Sequence, residues 1–238
     1  MTLSPKVDVI VVKYNQPNFE ATTIERVALN THYPNYTLTA YQNEPGVALS
    51  ICWNWLIGDS DADYICLLNS DTVVTPGWLT GLMSVFDAVG NVGAVVPSSN
   101  KVFLSEIPIP FPTETTDFQV INKFALENAK DAQCISLPTL SGMCVVFPKS
   151  LWHEIGGFDE EFYLYGEDTE FFYRMAAQTG KQLIWYKGVY VHHYKAQSVQ
   201  KAIEDGELDY TTIRARADRL CKAKMPNLNV YHMEQGQA

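Results

Sequence analysis

Residues 7–12 form a short apolar run rich in β-branched side chains that ends at Lys13-Tyr14-Asn15. Such a run predicts a buried parallel strand followed by a loop. Over residues 19–30, Ile24, Val27 and Ala28 recur on one helical face. Residues 36–41 alternate as a second strand, which Pro45-Gly46 breaks. Residues 47–57 read as a helix with Trp53 and Leu56 inward, and 64–68 as a third buried strand that stops at Asn69-Ser70-Asp71-Thr72. Pro76 fits the first turn of a helix carrying Leu79, Leu82, Met83 and Phe86, and a fourth strand follows at 92–96.

Strands alternating with helices at this spacing argue for an open, parallel α/β sheet. Ligands bind beyond the carboxyl ends of the strands in such sheets. Tyr14 and Asn15 after the first strand, and Asn69, Ser70 and Asp71 after the third, therefore stand where chemistry is expected. Pro108, Pro110 and Pro112 exclude a helix or a central strand, so residues 100–117 read as a surface loop, either a lid or a plain connection. Order resumes at Cys134. A strand is expected at 143–147, a short helix at 149–155 closed by Gly156-Gly157, and an irregular aromatic stretch at 158–165. A helix over 168–178 stops at Gly180, two closing strands follow at 182–186 and 189–192, and residues 204–224 form a charged, partly amphipathic helical tail.

The chain has 238 residues, 47% of them hydrophobic and 18% charged, which suits one α/β unit with a proper core. A net charge of −10 offers no general attraction to nucleic acid or anionic lipid. A divalent cation can still supply positive charge locally for a phosphate-bearing ligand. Five cysteines without a CxxC pair, several in apolar runs, suit a reducing compartment. With no leader-like N-terminus and no apolar run of membrane-spanning length, a soluble, cytoplasmic protein without an integral membrane segment is expected.

Three constellations can carry chemistry. Asn69-Ser70-Asp71 places a carboxylate at the end of a buried strand, where it needs a polar, cationic or metal partner; a hard ion such as Mg²⁺ or Mn²⁺ would supply one, and a capping turn is the plainer alternative. Glu167-Asp168 opens a helix. First-turn acids suit the helix dipole by about 0.3–1 kcal/mol each, and a carboxylate there can also serve as general base. Phe158, Phe162, Tyr163 and Tyr165 nearby suit either a floor for a sugar ring or the core. His192-His193 closes the last strand as a metal ligand or a structural pair.

Taken in order, these pieces resemble the family 2 glycosyltransferases. The likeness is carried by Asn43-Glu44-Pro45-Gly46-Val47-Ala48 with Asn54, by Leu67-Leu68-Asn69-Ser70-Asp71-Thr72, and by Leu140-Ser141-Gly142-Met143-Cys144. It continues through Gly156-Gly157-Phe158-Asp159-Glu160-Glu161-Phe162, Tyr165-Gly166-Glu167-Asp168, Arg174, Gly180 and His192-His193, a pattern similar to rhamnosyltransferase-like members. The resemblance implies a GT-A fold, an α/β, Rossmann-like domain over about residues 1–200 whose central sheet is mixed, mostly parallel and flanked by helices. It further implies a donor half at about 1–97, an acceptor half at about 134–200, and a helical tail at 201–238.

By the same resemblance, Asp71 binds Mn²⁺ or Mg²⁺ on a nucleotide-diphosphate-sugar donor, with His192 or His193 completing the metal site. Asp168, beside Glu167, is the catalytic base of an inverting transfer. Tyr14, Asn15, Asn43, Asn69, Ser70 and Gly142 contact the donor. Two positions depart from the usual pattern. Ala40-Tyr41-Gln42-Asn43 lacks the base-reading acid, and Lys13 replaces a small residue, so the nucleotide base stays open. The acceptor is a glycan, lipid-linked sugar, protein, small molecule or modified nucleobase, and oligomeric state is not legible. The rival readings are a non-catalytic nucleotide-sugar binder and a nucleotidyltransferase. The latter calls for a glycine-rich basic loop, which Lys13-Tyr14-Asn15-Gln16-Pro17 does not provide.

Overall fold

A computed structural model describes residues 4–102, 109, 111, 115–194, 202–204, 206 and 209–228. β1 (Val7–Lys13) lies between β2 (Tyr36–Gln42) and β3 (Tyr64–Leu68) and is parallel to both. Its inward Val and Ile side chains are fully buried. Asp8, also buried, accepts hydrogen bonds from the hydroxyls of Thr37 at 3.2 Å and Thr39 at 2.8 Å. α1 (Pro17–Asn30) and α2 (Leu49–Asp59) make the expected crossovers.

Beyond β3 the simple parallel order ends. β7 (Cys144–Pro148) inserts antiparallel between β3 and β5 (Val92–Ser98), while β8 (Gln182–His193) runs parallel to β5. β4 (Thr72–Val74) and β6 (Cys134–Leu137) pair antiparallel with β8. The result is a mixed, eight-stranded sheet in the order β2-β1-β3-β7-β5-β8-β4, with β6 on β8. α3 (Trp78–Ala88), α5 (Lys149–Ile155) and α6 (Glu167–Thr179) complete the flanking helices.

Two local expectations need correction, and two elements were unforeseen. Pro76 precedes α3 instead of opening it, and Gly77 caps that helix at φ 78°, a left-handed conformation that glycine adopts without steric cost. The two closing strands are one, β8, whose register on β5 jumps between Pro97↔Tyr186 and Ser98↔Tyr190. Gly188 makes the bulge possible, because a Cβ there would lie 2.5 Å from the Tyr186 ring. Residues 118–128 form a helix that was not anticipated, α4 (Phe118–Asn128), which Asp117 caps through Gln119 N–H at 2.8 Å. Its Ile121 and Ala125 bury against Val73 and Tyr190 in a satellite core. β4 was also unforeseen. Most of the 100–117 loop, and with it the lid reading, lies outside the described residues.

The tail helix, α7 (Tyr210–Lys224), starts at an Asp209 cap and folds back onto the 159–166 segment. Cys221 and Met225 bury against Phe162, while Lys224 forms ion pairs with Asp159 and Glu161. Among the described residues no helix is long and apolar enough to cross a membrane.

Candidate active site

The turn after β3 is fixed from below by α1. Thr23 is 1% exposed; its hydroxyl lies 2.9 Å from the carbonyls of Ser70 and Thr72 and accepts from Thr72 N–H at 3.0 Å. Asn69 N–H donates to the Met143 carbonyl at 2.8 Å. The intervening Asp71 is 5% exposed, and its Oδ1 meets His193 Nε2 at 3.0 Å.

Antiparallel pairing of Thr72 with His193 brings the two together and separates the histidines. Successive side chains on a strand point to opposite faces. His193 turns toward Asp71. His192 turns toward the satellite core, where its Nδ1 sits 3.0 Å from the Tyr190 hydroxyl and its ring lies edge-on to Phe111 and Tyr194. His192 does not line the cavity described below, so a metal role for it does not fit this arrangement.

His193 is clamped on both sides. Its N–H donates to Asn100 Oδ1 at 2.8 Å, and Asn100 Nδ2 donates back to its carbonyl at 3.1 Å. Its Nδ1 lies 2.6 Å from the Lys101 carbonyl. A carbonyl can only accept, so Nδ1 carries the proton and Nε2 turns its other valence toward Asp71. A metal-ligating histidine typically donates its second nitrogen in this way. The Nε2–Oδ1 separation also matches two neighbouring ligands of an octahedral ion, which stand about 3 Å apart when each bond is about 2.1 Å. Among the described residues no group of three His, Cys, Asp or Glu side chains is arranged to hold a metal. Asp71 and His193 thus fit a hard divalent ion, which would take its remaining ligands from donor oxygens and water.

On the acceptor-side turn, Gly142 N–H donates to Asp168 Oδ2 at 2.6 Å. Asp168 Oδ1 accepts from Thr169 N–H at 2.7 Å and from its hydroxyl at 3.2 Å. Burial nevertheless pushes the Asp168 carboxyl above the ordinary aspartate range, the three donors working against it. Burial, and then the charge of Asp168, push Glu167 up to about 8. Tyr165 precedes them at φ 68°, a left-handed backbone uncommon for a bulky residue and typical of functional turns.

These groups share one cavity of about 300 Å³. Tyr14, Asn43, Asn69, Ser70, Asp71, Gly142, Glu167, Asp168 and His193 line it; Asn15 does not. Asn15 sits in the loop after β1 at φ 54°. Asn43 spends its amide within its own turn, donating to the Val47 carbonyl at 3.0 Å and accepting from Glu44 N–H at 3.0 Å. The aromatic set divides. Phe158 and Phe162 are core, 2% and 1% exposed, while Tyr163 and Tyr165 face the cavity. Sequence reasoning missed Trp53, Lys101 and, from α7, Arg214, Asp218 and Cys221 as lining residues. Trp53 had the inward helical position that could have flagged it. The charged tail at 204–224 was a candidate to close over substrate, but its individual lining residues are selected only by the fold-back that brings them to the site.

A sequence model described as glycosyltransferase like family 2 matches residues 4–205. The chain is 24% identical over 260 aligned positions to the O-antigen biosynthesis protein RfbC of Myxococcus xanthus, covering 89% of this chain but only 19% of that protein. It therefore spans about a fifth of the length of this curated relative. Among solved structures it resembles GalNAc-T7 with UDP, GalNAc and Mn²⁺, at TM-score 0.61 and 13% identity over 82% of this chain and 45% of that one. It also resembles the mannosyltransferase PcManGT of Pyrobaculum calidifontis with GDP-Man and Mn²⁺, at TM-score 0.56 and 15% identity over 98% and 79%. These likenesses establish the GT-A fold.

Proposed function

The chain belongs to glycosyltransferase-like family 2; from that premise we propose that it is a glycosyltransferase that moves a sugar, with inversion, from a nucleotide-diphosphate donor to an acceptor hydroxyl. The observation that carries this reading is the gathering of Asp71, His193 and Asp168 in one cavity, with the first two meeting at 3.0 Å.

Asp71 and His193 would hold the divalent ion. When bound, Mn²⁺ or Mg²⁺ would neutralise negative charge on the leaving diphosphate. Asp168 receives the proton of the attacking hydroxyl. Gly142 and Thr169 keep its carboxylate pointed into the cavity. A single displacement by that hydroxyl, from the face opposite the leaving group, inverts the anomeric centre. Tyr163 and Tyr165 offer aromatic faces against which a sugar ring can lie. Mn²⁺ and nucleotide or nucleotide-sugar ligands in GalNAc-T7 and PcManGT support this donor class. The likeness to RfbC supports a saccharide acceptor. Five free cysteines support a reducing, cytoplasmic setting.

A thermal-shift screen of nucleoside diphosphates and their sugars, with and without Mn²⁺, identifies the donor, since native-state ligands raise Tm. Turnover of that donor is then compared between wild type and Asp168→Asn. Transfer falls by about 10²–10⁴-fold in the variant while donor binding persists. Equal rates would instead indicate a non-catalytic binder or another base.

A further inference from the structure

Two adjacent carboxyl groups open α6 into the cavity, and their surroundings differ. Asp168 accepts three hydrogen bonds, from Gly142 N–H, Thr169 N–H and the Thr169 hydroxyl. Donors of this kind favour the ionised form. Glu167 is 5% exposed and lines the same cavity, yet its Oε2 has no hydrogen-bond partner among the described residues. Burying an unpaired carboxylate oxygen is far costlier for the anion than for the neutral acid. Neighbouring carboxyls in a low-dielectric site resist ionising together.

We propose that Glu167 is a positioning residue that keeps one proton at neutral pH, so that Asp168 stands ionised beside a neutral neighbour. The inference rests on the reading of Asp168 as base and goes beyond it by placing the pair's proton. The groups facing Glu167 are consistent with this. Asp168 on its own helix, Tyr165 in the preceding turn and Cys221 on α7 interact with it electrostatically, and Arg214 and Asp218 of α7 line the same cavity. Burial pushes the Tyr165 hydroxyl up to about 12 and the Cys221 thiol up to about 11, so neither gives up a proton near neutrality. Arg214, the cation of this group, is engaged by Asp218 at 3.3 Å. The shift of Glu167 to about 8 agrees with the hydrogen-bonding pattern.

Infrared difference spectroscopy of the unliganded full chain, titrated from about pH 5 to about pH 9, reads the proton directly through the carbonyl stretch of a protonated carboxyl. Wild type shows such a band with a midpoint well above the ordinary carboxylate range. Glu167→Gln abolishes that high-midpoint band. Asp168→Asn retains it with a lower midpoint, because the neighbouring charge is gone. No band in wild type, survival of the band in Glu167→Gln, or its absence throughout the titration in Asp168→Asn would each overturn the assignment. Circular dichroism checks folding; should Glu167→Gln not fold, the Asp168→Asn titration decides alone. No substrate enters the experiment, so its failure leaves nucleotide binding and transfer standing, and the two readings fall separately.

Discussion

Gly142→Ala should damage both stability and catalysis, through one contact. A Cβ at this position would sit 3.0 Å from Asp168 Cβ, 3.2 Å from Trp53 Cη2 and 3.3 Å from Asp168 Oδ2. Trp53 cannot retreat, since it is 4% exposed and packs on Phe158 at a ring separation of 5.0 Å. The displacement falls on Asp168, whose carboxyl must draw back from Gly142 N–H, now 2.6 Å away. Overpacking typically costs about 1–3 kcal/mol, and weakening a hydrogen bond to a charged group about 1.5–3 kcal/mol. The two effects overlap, which gives a net loss of about 2–4 kcal/mol and a Tm fall on the order of 10 °C for a chain of this size. Urea unfolding measures the first quantity. Transfer by the folded variant measures the second, and it drops. Stability within about 0.5 kcal/mol of wild type and an unchanged rate would refute the close approach of the two turns.

Three further outcomes follow from other contacts. Thr23→Val, nearly isosteric, leaves buried Thr72 N–H without its 3.0 Å acceptor; it costs about 1–3 kcal/mol in urea unfolding and weakens Mn²⁺–nucleotide affinity by loosening the Asp71 turn. Asn54→Ala removes the amide that accepts from Phe158 N–H at 2.8 Å and Trp152 Nε1–H at 3.1 Å and donates to the Phe158 carbonyl at 2.9 Å. It lowers stability by about 2–4 kcal/mol in the same assay. The pH dependence of stability separates wild type from Glu167→Gln. Glu167 rises from the usual 4.5 to about 8 on folding, so within that window the native state holds a proton the unfolded chain has released. Stability contributed by this group is full below about 4.5 and declines as pH rises toward about 8. The glutamine variant lacks that decline, which parallel urea titrations across the window would show.

Much of the fold was legible because period and punctuation are local. The buried run of β1, the Leu68 stop before Asn69, and the Gly156 and Gly180 helix ends all appear where their side chains require. α4 carried a readable Asp117 cap, but its Ile121/Ala125 pair buries against Val73 and Tyr190, partners far along the chain that no local period encodes. The antiparallel course of β7 depends on partners far along the chain, which no period encodes. The same holds for the site. Asp71 and Asp168 could be singled out as acids at element ends, whereas choosing between His192 and His193 required knowing which face of β8 meets β4. Thr23, Asn100 and Arg214 reach the site only through tertiary contacts.

The central claim is that Asp71 and His193 hold a divalent ion for a nucleotide diphosphate beside Asp168. Calorimetric titration of Mn²⁺ with the nucleoside diphosphate found in the screen, into wild type, Asp71→Ala and Asp168→Asn, tests it most directly. Tight ternary binding to wild type and Asp168→Asn, with loss in Asp71→Ala, is the predicted result. Metal-dependent binding to Asp71→Ala at wild-type affinity would contradict it.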